Sequence, residues 1–133
     1  MAIALDCSMA LAWCFRDERT TAAAERVLDL VATDGGLVPT LWWFELWNAL
    51  LVGERRSRIA RDDTAIFLVL VERLPIDVDA SPKANEVLAL ARRFSLSAYD
   101  AAYLELAQRR NASLATLDKA LGSSARKLGI AVL

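Results

Sequence analysis

The run Ile3-Ala4-Leu5-Asp6-Cys7-Ser8 decides how the chain is read. Three apolar residues end at a carboxylate, and Ser8 can cap a short helix through Phe15. The same unit recurs along the chain. Leu37-Val38 follows the Gly35-Gly36 break and leads through Pro39 into a long helix opened by Thr40, over about 40–56. Ile76-Asp77-Val78 follows Pro75 and leads to Ser81-Pro82, read as the N-cap and first position of a helix ending at Phe94. Leu114-Ala115-Thr116 leads to Asp118 and a last helix to Leu128, and Ile130-Ala131-Val132 closes the series. Further helices are predicted over about 21–32, 62–74 and 97–110.

Short apolar strands alternating with helices imply βαβ units and a parallel sheet covered on both faces. The expectation is one three-layer α/β/α domain over residues 1–133, with a central parallel sheet of about five strands. The 133 residues fit one domain, and 56% hydrophobic content supports a substantial core. It also leaves room for a further buried face, such as a dimer contact.

Composition excludes several chemistries. There is no histidine, which removes Ser-His-Asp triads, imidazole acid–base catalysis and His-ligated zinc. A net charge of -1 gives no global field to attract nucleic acid. Cys7 and Cys14 form no CxxC pair and suggest a reducing compartment, the cytoplasm. Asp6 interrupts the apolar N-terminus, which lacks a basic leader, and no uncharged apolar run is long enough for a membrane span.

In a parallel α/β sheet, ligands bind beyond the carboxyl ends of the strands. Asp6, Glu45, Asp100 and Asp118 all fall near that rim by this reading. Asp100 and Asp118 individually fit capping positions, and Asp6 fits an Asx turn. Glu45 sits in Leu41-Trp42-Trp43-Phe44-Glu45-Leu46-Trp47, where a charge is costly unless paired or metal-bound. Asn48 shares its helical face. Taken together the acids favour a functional cluster. Oxygen ligands without His or Cys suit Mg²⁺ or Mn²⁺, and the fitting chemistry is phosphodiester hydrolysis by a metal-activated water. Ser8 and Thr116 are placed to orient a carboxylate or such a water. The arginines at 55, 56 and 58 and at 92–93 and 109–110 read as complements to helix C-termini, with Arg92 and Arg93 near enough to Asp100 to consider a phosphate contact. Trp42, Trp43 and Trp47 read as core or dimer contact.

The segments Leu5-Asp6-Cys7-Ser8, Trp43-Phe44-Glu45-Leu46-Trp47-Asn48-Ala49-Leu50, Ala98-Tyr99-Asp100-Ala101-Ala102-Tyr103-Leu104 and Thr116-Leu117-Asp118 resemble, in order and spacing, the motifs of PIN domains. Over essentially the whole chain the pattern is similar to VapC ribonuclease toxins of type II toxin–antitoxin modules. It departs at Ser95, where relatives often carry glycine. The resemblance implies a PIN-like fold and an acidic site of Asp6, Glu45, Asp100 and Asp118 holding Mg²⁺ or Mn²⁺. Ser8, Asn48 and Thr116 would support it. It further implies an endoribonuclease acting on RNA such as tRNA or rRNA, a homodimer, and silencing by a small cognate antitoxin.

Two other phosphate-handling folds fit less well. A receiver domain needs an acidic pair at the first strand, and a haloacid-dehalogenase phosphatase needs D-x-D or D-x-T where Asp6-Cys7-Ser8 stands. A non-catalytic RNA- or protein-binding module is the alternative of a different class, and a missing acid would favour it.

Overall fold

The structure, a computed structural model, describes residues 1–16 and 19–133. Its sheet grows outward from β1 (Ile3–Leu5), whose three residues are all fully buried. A strand with no exposed face must lie inside the sheet. On one side β1 pairs in parallel with β2 (Gly36–Pro39), and β2 with β3 (Ile76–Asp79). On the other side β1 pairs in parallel with β4 (Ser113–Ala115), with Ile3 opposite Ser113 and Leu5 opposite Ala115. The order is β3-β2-β1-β4. The predicted fifth strand is reduced to one parallel bridge, Leu114 to Val132, flanked by hydrogen bonds from Leu114 N to Ala131 O and from Leu133 N to Leu114 O.

Helices α1 (Cys7–Leu11) and α2 (Thr21–Asp34) link β1 to β2, and α3 (Trp42–Arg55) and α4 (Arg61–Glu72) link β2 to β3. Helices α5 (Ala84–Phe94) and α6 (Ala98–Arg109) then carry the chain back across the sheet to β4, before α7 (Lys119–Lys127). Parallel crossovers are right-handed, so links running in opposite directions place helices on opposite faces. Trp42, Leu46 and Leu50 of α3 and Tyr103, Leu104 and Leu106 of α6 are the large buried side chains that these helices supply. Each of the leucines contributes roughly 1.5–3 kcal/mol of burial.

Three helix starts differ from the sequence reading. Asp6, not Ser8, stands at the N-cap of α1, which ends at Leu11 and continues only as turns through Phe15. The Ser8 hydroxyl is occupied elsewhere. Ser81-Pro82 does not open α5, because Ser81 N donates to Asp79 Oδ1 and Lys83 N to Glu105 Oε1, delaying the helix to Ala84. The long helix starts at Trp42 rather than Thr40. Ser97 and Asp118 are caps as expected, accepting from Asp100 N and Leu121 N.

Two turns need left-handed backbone. Gly35 ends α2 at φ +83°, and a Cβ there would meet Pro75 O at 3.0 Å. Ser95 ends α5 at φ 52°, ψ 44°, a conformation that glycine adopts without strain.

Candidate functional site

The connections leaving β1 and β4 run in opposite directions, since β1 leads toward β2 and β4 toward the bridge at Val132. The carboxyl ends of these two strands therefore form the switch point, where a crevice opens between diverging loops. Asp6 follows one strand and Thr116 the other.

Asp6 N donates to Ala115 O at 3.0 Å, which extends the pairing by one bond beyond the strands and fixes where the carboxylate points. The side chain is buried. Its Oδ2 accepts from Thr116 Oγ1 at 2.6 Å and from Ser8 Oγ at 2.7 Å. Each hydroxyl has one proton, and each also accepts a backbone amide: Leu117 N on Ser8 Oγ and Asp118 N on Thr116 Oγ1, both at 3.0 Å. The amides thus aim both hydroxyl protons at Asp6. Burial nonetheless raises the Asp6 pKa, with the charge of Asp118 adding to it and the hydroxyls opposing.

Glu45 lies in the first turn of α3, half-buried, and its Oε1 accepts from Tyr103 OH at 2.7 Å. Its pKa is raised by burial and by the charges of Asp6 and Asp100, against the Tyr103 bond. Asp100, in the first turn of α6, is raised by burial and by the charges of Asp118 and Asp6. Asp118 is exposed and caps α7. The structure thus brings the four predicted acids into one another's field: Glu45 feels Asp6 and Asp100, Asp100 feels Asp118 and Asp6, and Asp6 feels Asp118.

Ser8 and Thr116 join the cluster through Asp6. Asn48 does not: it is exposed, and no hydrogen bond ties it to an acid among the described residues. Tyr103 joins the cluster through Glu45 and is not among the residues the sequence singles out, although its position three residues after Asp100 on α6 signals a shared face. The tryptophans divide, with Trp42 fully buried and Trp47 exposed. Arg92 and Arg93 stay exposed at the end of α5, where Arg93 stacks on Phe94. Arg109 and Arg110 do more than complement a helix end. They clamp buried Asp79, and Arg109 also bonds Glu105.

Among the described residues no three acidic or sulfur side chains are grouped as a ready-made metal cage. The donor set still fits a hard divalent cation. Mg²⁺ keeps several waters and is usually held by one or two carboxylates, without a closed protein cage. Burial, with mutual repulsion added to it, raises three neighbouring carboxyl pKa values, and a bound cation would offset both.

Likenesses to known proteins agree with this architecture. Among solved structures the chain is similar to a crystallised protein from Pyrobaculum aerophilum, at 24% identity and TM-score 0.74, over 99% of this chain and 92% of that one. It is similar to a toxin-antitoxin complex from Klebsiella pneumoniae at 17% identity and TM-score 0.62, covering 100% of this chain and 96% of that one. It is also similar to VapBC2 from Rickettsia felis, bound to a promoter DNA fragment, at 12% identity and TM-score 0.68, covering 100% and 98%. No curated protein matches the chain. The family model described as PIN domain matches residues 3–127, nearly the whole length, and the chain belongs to that family.

Proposed function

We propose that this protein is an Mg²⁺- or Mn²⁺-dependent endoribonuclease that acts as a toxin and is silenced by a small cognate antitoxin. The observation that carries the reading is the cluster at the switch point, where Asp6, Glu45 and Asp100 are each raised by burial and by neighbouring acids. Membership of the PIN-domain family, whose members are generally nucleases, supports it. Two of the similar structures carry toxin-antitoxin names, which supports the biological setting.

Asp6 and Asp100, with Glu45, would hold the cation, and exposed Asp118 would reach it through water. A bound divalent cation supplies charge neutralisation at the phosphate and a more acidic water. Ser8 and Thr116 hold the Asp6 carboxylate in one orientation, and Tyr103 does the same for Glu45. Carboxyl groups with raised pKa values are the proton acceptors available in a site without histidine.

The acidic cluster also attracts a basic side chain, so an antitoxin inserting Arg or Lys near Asp6 and Asp100 would block it. Phe44, Trp47 and Leu51 lie at i, i+3 and i+7 on α3 and are exposed, which supports a homodimer through that face. No helix among the described residues is long and apolar enough to cross a membrane, and both cysteines are free, which supports a cytoplasmic setting.

The test is RNA cleavage by the purified chain with Mg²⁺, with Mn²⁺ and with EDTA, beside Asp6→Asn. Cleavage that needs the ion and falls at least about a hundredfold in the variant supports the proposal. RNA binding without cleavage under every condition would favour the non-catalytic module.

A further inference from the structure

A cleft of about 450 Å³ lies between the α1 segment and α3, within the roughly 300–1,000 Å³ of small-ligand sites. Leu11, Ala12 and Phe15 form one wall, and Ala49, Val52 and Gly53 the other. Ser8 and Leu117 also line it. These are the residues joined by the amide–hydroxyl bond that aims Ser8 at Asp6, so the cleft opens from the acidic site itself.

Thr20 adds a hydroxyl residue, and the two cations of the lining are Arg56 and Arg58. Both are exposed, and neither forms an ion pair among the described residues. Helix α3 sets out the two ends along one face. Glu45, Ala49, Val52, Gly53 and Arg56 follow one another at helical spacing. Carboxylate and guanidinium positions are therefore roughly 16 Å apart along the axis, at 1.5 Å per residue. Arg58 lies 4.7 Å over the Phe15 ring. Gly53 lets that ring sit deep, since a Cβ there would meet Phe15 Cζ at 2.7 Å.

An occupant of this cleft must be apolar in the middle, anionic toward the arginines and continuous with something held at the acids. A single-stranded RNA segment meets all three conditions. Base faces are apolar and stack on aromatic and guanidinium planes, while phosphates pair with arginine. The net charge of -1 makes such a local pair of cations necessary for any polyanion to stay.

Resting on the hydrolytic reading of the acids, we infer that this cleft is a substrate subsite. It takes the unpaired base beside the scissile phosphate, and Arg56 and Arg58 hold flanking phosphates. The test titrates a short fluorescein-labelled single-stranded RNA into the full chain in EDTA, followed by anisotropy over a salt series. The variants are Arg56→Ala/Arg58→Ala, which removes both cations together with the Arg58 contact on Phe15, and Ala49→Leu, which fills the cleft and keeps both arginines. The double variant should bind at least about tenfold more weakly, with its log–log salt slope reduced by about 1.4, the value for two single-strand phosphates. Ala49→Leu should weaken binding with the slope unchanged. RNA affinity within twofold of wild type in both variants overturns the subsite and leaves the cleft to a protein partner. RNA bound with these slopes but never cleaved in Mg²⁺ or Mn²⁺ removes the hydrolytic reading alone. Cleavage whose KM ignores every variant removes the subsite alone.

Discussion

Thr116 and Asp6 meet at 2.6 Å across the junction of β1 and β4, hydroxyl donating to carboxylate, with the Thr116 oxygen itself held by Asp118 N. Residues 110 positions apart are thus locked at the one place in the sheet where the strand connections diverge. The bond favours the charged form of Asp6 against its burial. Removing it should raise the Asp6 pKa further. Thr116→Val therefore shifts the acid limb of the pH–rate profile to higher pH and lowers activity about tenfold at neutral pH. Thr116→Ser restores both. An unchanged acid limb in Thr116→Val would show that the hydroxyl does not tune Asp6.

The acids also shape stability. Asp6, Glu45 and Asp100 have raised pKa values, so the folded state holds more protons than the unfolded chain above about pH 4. Their contribution is present at low pH and is lost as pH rises through the folded values. In EDTA, thermal midpoints of Asp100→Asn should decline less than those of wild type between pH 4 and 7. Added Mg²⁺ or Mn²⁺ should raise the wild-type midpoint at pH 7 and leave the variant's nearly unmoved. Parallel pH curves for the two proteins would show that the charges do not interact.

Asp79 behaves in the opposite way. Arg109 and Arg110 hold its buried carboxyl well below the usual carboxylate range. That stabilisation is full above roughly pH 4 and disappears as pH falls toward the depressed value. Arg109→Met should cost about 3 kcal/mol by urea unfolding at pH 7, the lower end for breaking a buried pair, because Arg110 remains. The deficit should shrink at low pH. A cost below about 0.5 kcal/mol would place the pair with ordinary surface bridges.

Ser95 holds φ 52° without glycine's freedom. Ser95→Gly should stabilise the fold by about 0.5–1 kcal/mol, the left-handed penalty less the entropy of glycine. A loss of stability in denaturant melts would mean that the serine side chain contributes there.

Much of this was legible in the chain because the relevant signals are local. Ile3–Leu5, Leu37-Val38 and Leu114-Ala115 read as strands from short apolar runs, and Ser97 and Asp118 read as caps from residue type and position. The acids at Asp6, Glu45, Asp100 and Asp118 followed from strand-end placement. What escaped depends on partners distant in sequence. Nothing near Ser81 shows that Glu105 will take the Lys83 amide and delay α5. Nothing near Arg109 shows that its partner is Asp79, 30 positions earlier. Ile130-Ala131-Val132 has strand composition, but only Val132 forms a bridge, to Leu114. Asn48 shares a turn with Glu45 yet remains exposed, because periodicity gives a face and not a contact.

Water-driven hydrolysis at the acidic cluster would leave its signature in the ends of the RNA products. Mapping the termini after incubation with Mg²⁺ or Mn²⁺ should give 5′-phosphate and 3′-hydroxyl ends, absent in EDTA and in Asp6→Asn. A 2′,3′-cyclic phosphate, which requires attack by the ribose hydroxyl, or full activity in EDTA, would contradict it.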